Sequence, residues 1–473
     1  MIITEICKYI VEIFYLYIIV STIIVVLLDN RSPVKTMAWI LVLIFLPIVG
    51  FALYFFFGQN VRKKRLISRR IANQLTRDSI AQLVEGSAQP PTRYKTLVRF
   101  FQKVNQASLL PDNSLNVYTR GEDMLQAMIQ DLSKATQHIN LEFYIFENDP
   151  VGNMVKDILI QKAQEGIKVK VLYDDVGCWN VPDRFFKEMR NAGIEIYSFL
   201  PVKLPFFTGK INYRNHRKVV VIDGKVGYVG GMNLALRYFR PGKLGIWRDT
   251  HLRVTGSAVH GLQRAFLIDW YFMDKTFKPT VDYFPKTRKT GNIPIQIITS
   301  EPVGPWRDIM LGLTKVITNA QKYFYVQTPY LLPTPTIMQA LQTAALSGID
   351  VRLMIPEKSD SWLVQLATRS YLDDILLAGV NVYVYRKGFL HSKLMVSDDS
   401  FCTVGSTNMD FRSFEHNFEI NAFIYDTKTA IQIKNIFLQD QKSCHKLSLR
   451  RWRRRPWLQR LKESVVRLLA PLL

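Results

Sequence analysis

Two stretches of the chain place a histidine, a lysine and an asparagine at the same spacing, with lysine two and asparagine seventeen residues after the histidine. They are His216, Lys218 and Asn233 in the first stretch and His391, Lys393 and Asn408 in the second. One imidazole can attack the phosphorus of a phosphodiester, and the other can move protons to and from the leaving and incoming oxygens. Two ammonium groups and two amides can hold the phosphate oxygens. The repeat therefore predicts one phosphodiester site to which each stretch contributes half.

An aspartate follows each histidine by seven residues, as Asp223 or Asp398, and we include both in the predicted catalytic set. Asp223 and Gly224 have the sequence of a hairpin turn between the strands KVVVID and KVGYVGG. Residues two apart share one face of a strand, so His216 and Lys218 point the same way and Asp223 does not. We therefore expect the aspartates to brace the hairpins or to anchor a lysine rather than to contact the substrate.

Two further carboxylates are candidates for orienting the imidazoles. A catalytic histidine needs an acceptor at its second ring nitrogen, which fixes the tautomer. Asp249 and Glu419 follow the two motifs and fit this role, with ordinary ion pairing as the alternative. Four positions near the strand starts either line a groove for the substrate or simply pack: Glu142, Tyr144, Gln327 and Tyr330. The chemistry requires no metal and no cofactor, and no cluster has metal-ligand spacing.

Each motif closes one copy of a repeated pattern of strands and helices. Both copies begin with an apolar run typical of a strand, HINLEFYIF or YFYVQTPYLL, and continue with two units of helix, glycine and strand. Gly166 and Gly348 stand where the first helices should end. This alternation predicts an α/β fold made by internal duplication, with one lobe over residues 106–280 and a second over 281–445.

Two uncharged apolar runs predict a transmembrane hairpin within residues 1–60. Residues 13–28 with their flanks, and residues 36–57, reach the roughly 20 residues that a membrane-spanning helix needs. The basic stretch QNVRKKRLISRR opens a linker over 61–105, and by the positive-inside rule it places both termini and the lobes in the cytoplasm. A cleaved signal peptide is the competing interpretation, which the acidic residues before the first run disfavour.

The chain is strongly basic, and its last segment is the most basic part. Lys and Arg number 62 against 39 Asp and Glu, a formal net charge of +23, which indicates an anionic partner such as a phospholipid surface, a phosphate-bearing substrate or nucleic acid. The tail, residues 446–473, combines arginines with Trp452, Trp457 and several leucines. It is predicted to be a basic amphipathic helix at a membrane surface, or else a helix packed on the lobes. The membrane hairpin makes a nucleic-acid partner less consistent.

The paired motifs resemble the signature of the phospholipase D superfamily, HxKxxxxD followed by GGxN or GSxN. The two copies here end in Gly230-Gly231-Met232-Asn233 and Gly405-Ser406-Thr407-Asn408. The resemblance implies a two-lobed α/β sandwich with one active site between the lobes and a ping-pong mechanism. It also implies that His216 is the nucleophile and His391 the general acid and base.

The N-terminal run is similar to the membrane segment of bacterial cardiolipin synthases. The matching residues are Lys35, Thr36, Ala38, Trp39, Leu46, Pro47, Gly50, Tyr54 and Gly58. This resemblance implies a multi-pass enzyme of the bacterial inner membrane that joins two phosphatidylglycerol molecules into cardiolipin and glycerol. The alternatives are a hydrolase of the same superfamily, lipase or nuclease, and a membrane-bound binding protein, which the intact motifs disfavour. The acceptor, phosphatidylglycerol, phosphatidylethanolamine or a small alcohol, stays open.

Overall fold

The computed structural model describes residues 2–28, 33–54, 90–202, 212–278 and 280–470. Most of the predicted basic linker, Gly58 and the link between the two apolar runs lie outside these ranges. The N-terminal helices and the α/β body belong to separate units. In the first unit, helix α1 (Ile2–Leu28) contains a stretch of 21 residues, Lys8–Leu28, that is long and apolar enough to cross a membrane.

The second apolar run forms two short helices rather than one. Helix α2 (Pro33–Phe45) ends one residue before Leu46, and α3 (Pro47–Leu53) begins after it. Proline lacks the amide hydrogen that a continuous helix would need and clashes with the preceding turn, so the helix is interrupted just before Pro47. Among the described helices, only α1 therefore reaches a membrane-spanning length.

The first lobe of the body follows helix α4 (Lys95–Val104). Its strands are β1 (Leu110–Tyr118), β2 (His138–Phe143), β3 (Lys168–Asp174), β4 (Glu195–Phe199), β5 (Arg214–Asn215), β6 (Lys218–Ile222), β7 (Val226–Gly230), β8 (Ile246–Arg248) and β9 (His251–Thr255). Its helices are α5 (Gly121–Ser133), α6 (Pro150–Gln164), α7 (Asp183–Asn191) and α8 (Ala258–Met273). The predicted order of strand, helix and strand is the observed one.

The second lobe repeats this succession. Its strands are β10 (Ile293–Ser300), β11 (Tyr323–Gln327), β12 (Leu331–Leu332), β13 (Asp350–Pro356), β14 (Asn381–Tyr385), β15 (Gly388–Leu390), β16 (Leu394–Ser397), β17 (Phe401–Gly405), β18 (Met409–Asp410), β19 (Asn417–Ile424) and β20 (Cys444–Lys446). Its helices are α9 (Asp308–Thr318), α10 (Pro335–Leu346), α11 (Trp362–Leu377), α12 (Phe411–Glu415) and α13 (Thr427–Gln441). The tail adds α14 (Leu449–Arg453) and α15 (Trp457–Arg467).

The two lobes share one strand order. The first runs β1-β9-β7-β6-β2-β3-β4, and the second runs β10-β19-β17-β16-β11-β13-β14 with β20 at its edge. Antiparallel pairing of β1 with β10 joins them into one sheet of 16 strands. The predicted α/β fold with two duplicated lobes is confirmed.

The motif strands are buried on both faces. In β6, Val220 and Ile222 belong to the core of the first lobe, whereas Val219 and Val221 belong to a core that both lobes share with Val396 of β16. A strand that is buried on both faces has a nearly continuous apolar sequence, as KVVVI does. The shared core fixes the two motif hairpins relative to each other.

Candidate active site

Two short parallel strand pairs cross between the lobes and position both histidines. Strand β5 pairs with β19, and β15 pairs with β8. The backbone amide of His216 donates to the carbonyl oxygen of Phe418 at 3.0 Å, and that of His391 donates to Arg248 at 2.8 Å. Each histidine therefore lies close to one of the predicted carboxylates in the opposite lobe. Glu419 is part of β19, and Asp249 directly follows β8.

Each imidazole pairs with the carboxylate of the opposite lobe. Nδ1 of His216 lies 3.0 Å from Oε1 of Glu419, and Nδ1 of His391 lies 2.6 Å from Oδ2 of Asp249. Because a carboxylate only accepts, Nδ1 has the proton in each neutral imidazole and Nε2 presents the lone pair. The partners are 203 and 142 residues apart in the chain, so this exchange was not visible in the sequence.

The environment keeps both imidazoles neutral and both carboxylates charged at neutral pH. Burial lowers the pKa of His216 to about 4 against the opposing effect of Glu419, and burial with Lys393 lowers the pKa of His391 to about 4. Burial raises the carboxylate pKa values, but Lys393 and His391 hold the pKa of Asp249 below its ordinary range, and His216 does the same for Glu419. A neutral imidazole is the form that a nucleophile or general base requires.

The two lysines occupy unequal positions. Nζ of Lys218 donates to the carbonyl oxygen of His216 at 2.5 Å, and Nζ of Lys393 likewise donates to the carbonyl oxygen of His391. Nζ of Lys393 in addition lies beside the His391 imidazole, 2.7 Å from Nδ1 and 3.1 Å from Nε2. Burial lowers the pKa of Lys393 to about 8 and that of Lys218 well below its ordinary value, and the charge of Lys393 adds to the second shift. The two halves thus form one electrostatic environment.

The asparagines of the motifs have different local roles. Nδ2 of Asn233 donates to the hydroxyl of Tyr238 at 2.7 Å, and the Tyr238 ring lies 5.5 Å from that of His391. Oδ1 of Asn408 is buried and has no hydrogen-bond partner among the described residues. Asn233 therefore also supports an aromatic wall of the site, a role that the sequence did not indicate.

The two tyrosines whose role was left open lie beside the histidines. The ring of Tyr144 is 5.1 Å from the His216 ring, and that of Tyr330 is 6.3 Å from the His391 ring. Sequence reasoning missed Trp247, whose ring lies 5.1 Å from His391. Its place two residues before Asp249 was the available signal.

Glu142 and Gln327 occupy equivalent positions and are buried behind the site. Glu142 accepts a hydrogen bond from Asn215, and Nε2 of Gln327 donates to Asp440 at 2.8 Å. Burial, followed by the neighbouring charge of Asp269, raises the pKa of Glu142 well above its ordinary value. A carboxyl group in the first lobe thus takes the place of an amide in the second, and each side chain is hydrogen-bonded to a neighbour.

Asp223 and Asp398 lie at the far ends of the motif strands from the histidines. The Asp223 carboxylate accepts hydrogen bonds of 2.8–3.0 Å from the backbone amides of residues 136–138 and from the Thr136 hydroxyl. Asp398 accepts equivalent bonds of 2.8 Å from the amides of residues 321–323. These contacts agree with the expectation that the two aspartates brace the hairpins, and a catalytic role for them stays a prediction. They hold the turns that lead into β2 and β11.

The GGxN and GSxN forms of the motif follow from the carboxylate that each one faces. A Cβ atom at Gly231 would lie 2.1 Å from Oδ1 of Asp249. At the equivalent position, the hydroxyl of Ser406 donates to Glu419. The first copy therefore requires glycine, because Asp249 itself fills the space.

The fold and the paired motifs define an enzyme of the phospholipase D type. A solved structure with this fold is the phosphatidylserine synthase of Haemophilus influenzae Rd KW20, with a TM-score of 0.61 over 80% of this chain and 100% of that one at 15% identity. The family description "Cardiolipin synthase, PLD-like domain" matches residues 128–243 and 313–441, and "Phospholipase D-nuclease N-terminal" matches residues 13–59.

Two relatives match over almost their full length. The major cardiolipin synthase of Bacillus subtilis is 41% identical over 99% of this chain and all of its own, and cardiolipin synthase 1 of Staphylococcus aureus is 40% identical over 94% and 93%. The chain belongs to the cardiolipin synthase family, as the resemblance of its N-terminal run implied. Its substrate is a phospholipid, and α1 indicates association with a membrane.

Proposed function

We propose that this enzyme transfers the phosphatidyl group of one phosphatidylglycerol to a hydroxyl of a second, giving cardiolipin and glycerol. The observation that best supports this is the exchange of partners between the lobes, His216 with Glu419 and His391 with Asp249. It provides one nucleophile and one proton carrier at a single site, which a two-step transfer requires.

In the first step, Nε2 of His216 attacks phosphorus and the bond from phosphorus to the glycerol oxygen breaks. His391, which becomes protonated as the anionic diester binds beside it, gives its Nε2 proton to that oxygen. In the second step, His391 removes a proton from a hydroxyl of the second phosphatidylglycerol. The resulting oxygen attacks the phosphohistidine and releases neutral His216.

The unequal lysines support His216 as the nucleophile. The Lys393 ammonium lies beside the His391 imidazole, 2.7 Å from Nδ1 and 3.1 Å from Nε2, and its charge lowers the pKa of His391. An imidazole with a positive charge directly beside its ring is the poorer nucleophile. We assign Lys218, Lys393, Asn233 and Asn408 to the phosphate oxygens, where their donors offset the charge that develops in the transition state.

A product analysis tests the function. Purified protein is given phosphatidylglycerol vesicles in a chelating buffer, and the lipids and the water-soluble products are identified. Cardiolipin with an equal amount of glycerol supports the transferase, whereas phosphatidic acid with glycerol would identify a hydrolase. Adding phosphatidylethanolamine to the vesicles tests it as a competing acceptor, and His216→Ala provides the inactive control.

Trapping the intermediate tests the assignment of roles. In His391→Ala the phosphatidyl intermediate should form slowly and persist, because the second step, attack on the phosphohistidine, lacks its base. Mass spectrometry should then find the phosphatidyl adduct on the peptide that contains residue 216. An adduct on His391 in the His216→Ala variant would reverse the assignment.

The same proposal includes a multi-pass arrangement with the lobes in the cytoplasm. The basic residues that follow the second apolar run support it. An impermeant maleimide added to intact bacteria should label Ser32→Cys, in the link between the runs. It should label Leu346→Cys, on α10, only after the cells are opened. Labelling of the second variant in intact cells would refute the orientation.

A further inference from the structure

The C-terminal helix α15 packs on the body through Glu463 and Val466 and exposes most of its other apolar residues. Glu463 is buried and accepts hydrogen bonds from Nε of Arg369 at 2.8 Å and from Arg455 at 2.5 Å, and Arg467 pairs with Asp374 at 3.0 Å. Ion pairs and the buried Val466 side chain therefore hold the helix in place. A helix docked only for stability would bury its leucines instead.

The exposed apolar residues of α15, together with the residue that follows the helix, form one continuous stripe. The five are between 51% and 78% exposed: Trp457, Leu458, Leu461, Val465 and Leu468. At 3.6 residues per turn they occupy an arc of roughly 100°. Exposed Arg460 and Lys462 border the arc on its two sides. A stripe of Trp and Leu between basic residues is typical of a helix that lies in a membrane interface.

The stripe begins near the active site. Arg369 contacts Glu463, and Asp374, further along α11, contacts Arg467, further along α15. The two helices therefore run in the same direction. Trp362, 68% exposed, therefore starts α11 at the end of the molecule where α15 starts. Two residues before it, Asp360 accepts a hydrogen bond from the Tyr330 hydroxyl at 2.8 Å. The Tyr330 ring faces His391 at 6.3 Å.

An anionic bilayer fits this surface better than a second copy of the chain does. Exposed arginines precede the stripe at positions 450, 451 and 454, and two copies that met here would bring like charges together. A bilayer that contains anionic lipid offers hydrocarbon to the stripe and phosphates to the arginines. We propose that α15 inserts its stripe into the headgroup region of an anionic bilayer and holds the His391 side of the active site at that surface. The proposal rests on the phospholipid substrate but not on the identity of the product.

A fluorescent label tests the contact directly. Full-length Leu461→Cys, labelled with an environment-sensitive dye, is reconstituted in vesicles with and without phosphatidylglycerol. Leu346→Cys is the matched control, because Leu346 is 74% exposed and lies on α10. The unsubstituted chain sets the background from the native cysteines. In phosphatidylglycerol vesicles the emission of the label at 461 should shift to the blue, and bromine on the acyl chains should quench it, whereas the label at 346 should respond to neither.

Several results would overturn the proposal. Equal behaviour of the two labels would place α15 in water. A blue shift without vesicles that grows with protein concentration would show that a second copy of the chain covers the stripe. A blue shift of the same size in vesicles of zwitterionic lipid alone would remove the requirement for anionic lipid.

Turnover provides an independent measurement. Leu461→Glu should raise the apparent KM for phosphatidylglycerol in vesicles by roughly tenfold, because a charge enters the inserted face. It should leave turnover in detergent micelles unchanged, and Leu346→Glu should change neither. An equal loss of turnover in vesicles and in micelles would mean a folding defect. If the label at 461 also stays in water, the two results together would contradict the proposal. If the parent forms no cardiolipin, the proposed function fails while the quenching result still decides the membrane contact.

Discussion

His216 and His391 belong to repeated motifs, yet their neighbours differ in ways that a repeat does not reveal. His216 pairs with Glu419, and the carboxylate of Glu419 also accepts hydrogen bonds from Ser406 and Asn417. His391 has the shorter Asp249 and an ammonium group beside its ring, 2.7 Å from Nδ1 and 3.1 Å from Nε2. The duplication therefore supplies two copies of one framework, and the differences between the copies fit the proposed division into a nucleophile and a proton carrier.

The pH dependence should report this environment. The pKa of His216 is lowered to about 4, so His216 is neutral above that pH and is protonated and inactive as a nucleophile below it. The pKa of Lys393 is lowered to about 8, so its charge is present below that pH and lost above it. We expect the profile of kcat/KM in detergent micelles to have an acid limb below about 4, where His216 is protonated, and an alkaline limb whose slope steepens above about 8, where Lys393 loses its charge.

The variant Lys393→Arg identifies the alkaline limb. A guanidinium stays charged throughout the accessible range, so that limb should move to higher pH even if the maximum rate falls. Lys434→Arg, at a position whose ammonium pairs with Asp399 on the surface, is the matched control and should leave the profile unchanged. An alkaline limb that stays in place in Lys393→Arg would assign it to another group.

The variant Gly231→Ala tests whether Asp249 positions the His391 imidazole. The added Cβ would lie 2.1 Å from Oδ1 of Asp249, so the carboxylate must move away from Nδ1 of His391. We expect kcat to fall by roughly 10- to 100-fold. Gly242→Ala, where no atom lies within 4 Å, is the control and should keep the parental rate. A parental rate in Gly231→Ala would show that the Asp249 contact does not position His391.

At the scale of elements, local patterns were readable and long-range pairings were not. The helix, glycine and strand units around Gly166 and Gly348 follow from periodicity and stop signals within short windows. Strands β5 and β15 have two and three residues and no periodic pattern, and their partners lie in the other lobe. The sequence therefore identified both histidines and both acids but not which acid serves which histidine. Likewise, the apolar pattern of α15 did not reveal that the helix docks through Glu463.

The pairing of β15 with β8 gives a prediction at this scale. Gly388 has φ of 150°, and a Cβ there would lie 2.2 Å from the carbonyl oxygen of Ile246. Gly388→Ala should separate the two strands and shift His391, three residues later. We expect a fall in kcat of roughly 10-fold or more, with a loss of unfolding free energy of about 1–3 kcal/mol. Kinetics and calorimetry on one preparation measure the change in kcat and the change in unfolding free energy. An unchanged kcat would mean that β15 does not position His391.

At the scale of the whole molecule, one sheet and one shared core join the lobes. The β1–β10 pair makes the sheet continuous, and residues of both lobes fill the core between the motif hairpins. The sequence predicted two lobes that face each other, since each had half of the required groups. It did not predict that their sheets join, because edge pairing between β1 and β10 leaves no composition signal.

Because one chain supplies both halves of the site, two inactive variants should not rescue each other. His216→Ala lacks the nucleophile, His391→Ala lacks the proton carrier, and the partner acids Glu419 and Asp249 lie in the same chain as the histidines they orient. Mixing the purified variants, or expressing them together, should leave cardiolipin formation at the level of either alone. Restoration toward one quarter of the parental rate would show that lobes exchange between chains and that the site forms at a dimer interface. Mixing parental enzyme with either variant is the control and should give a rate proportional to the parental fraction.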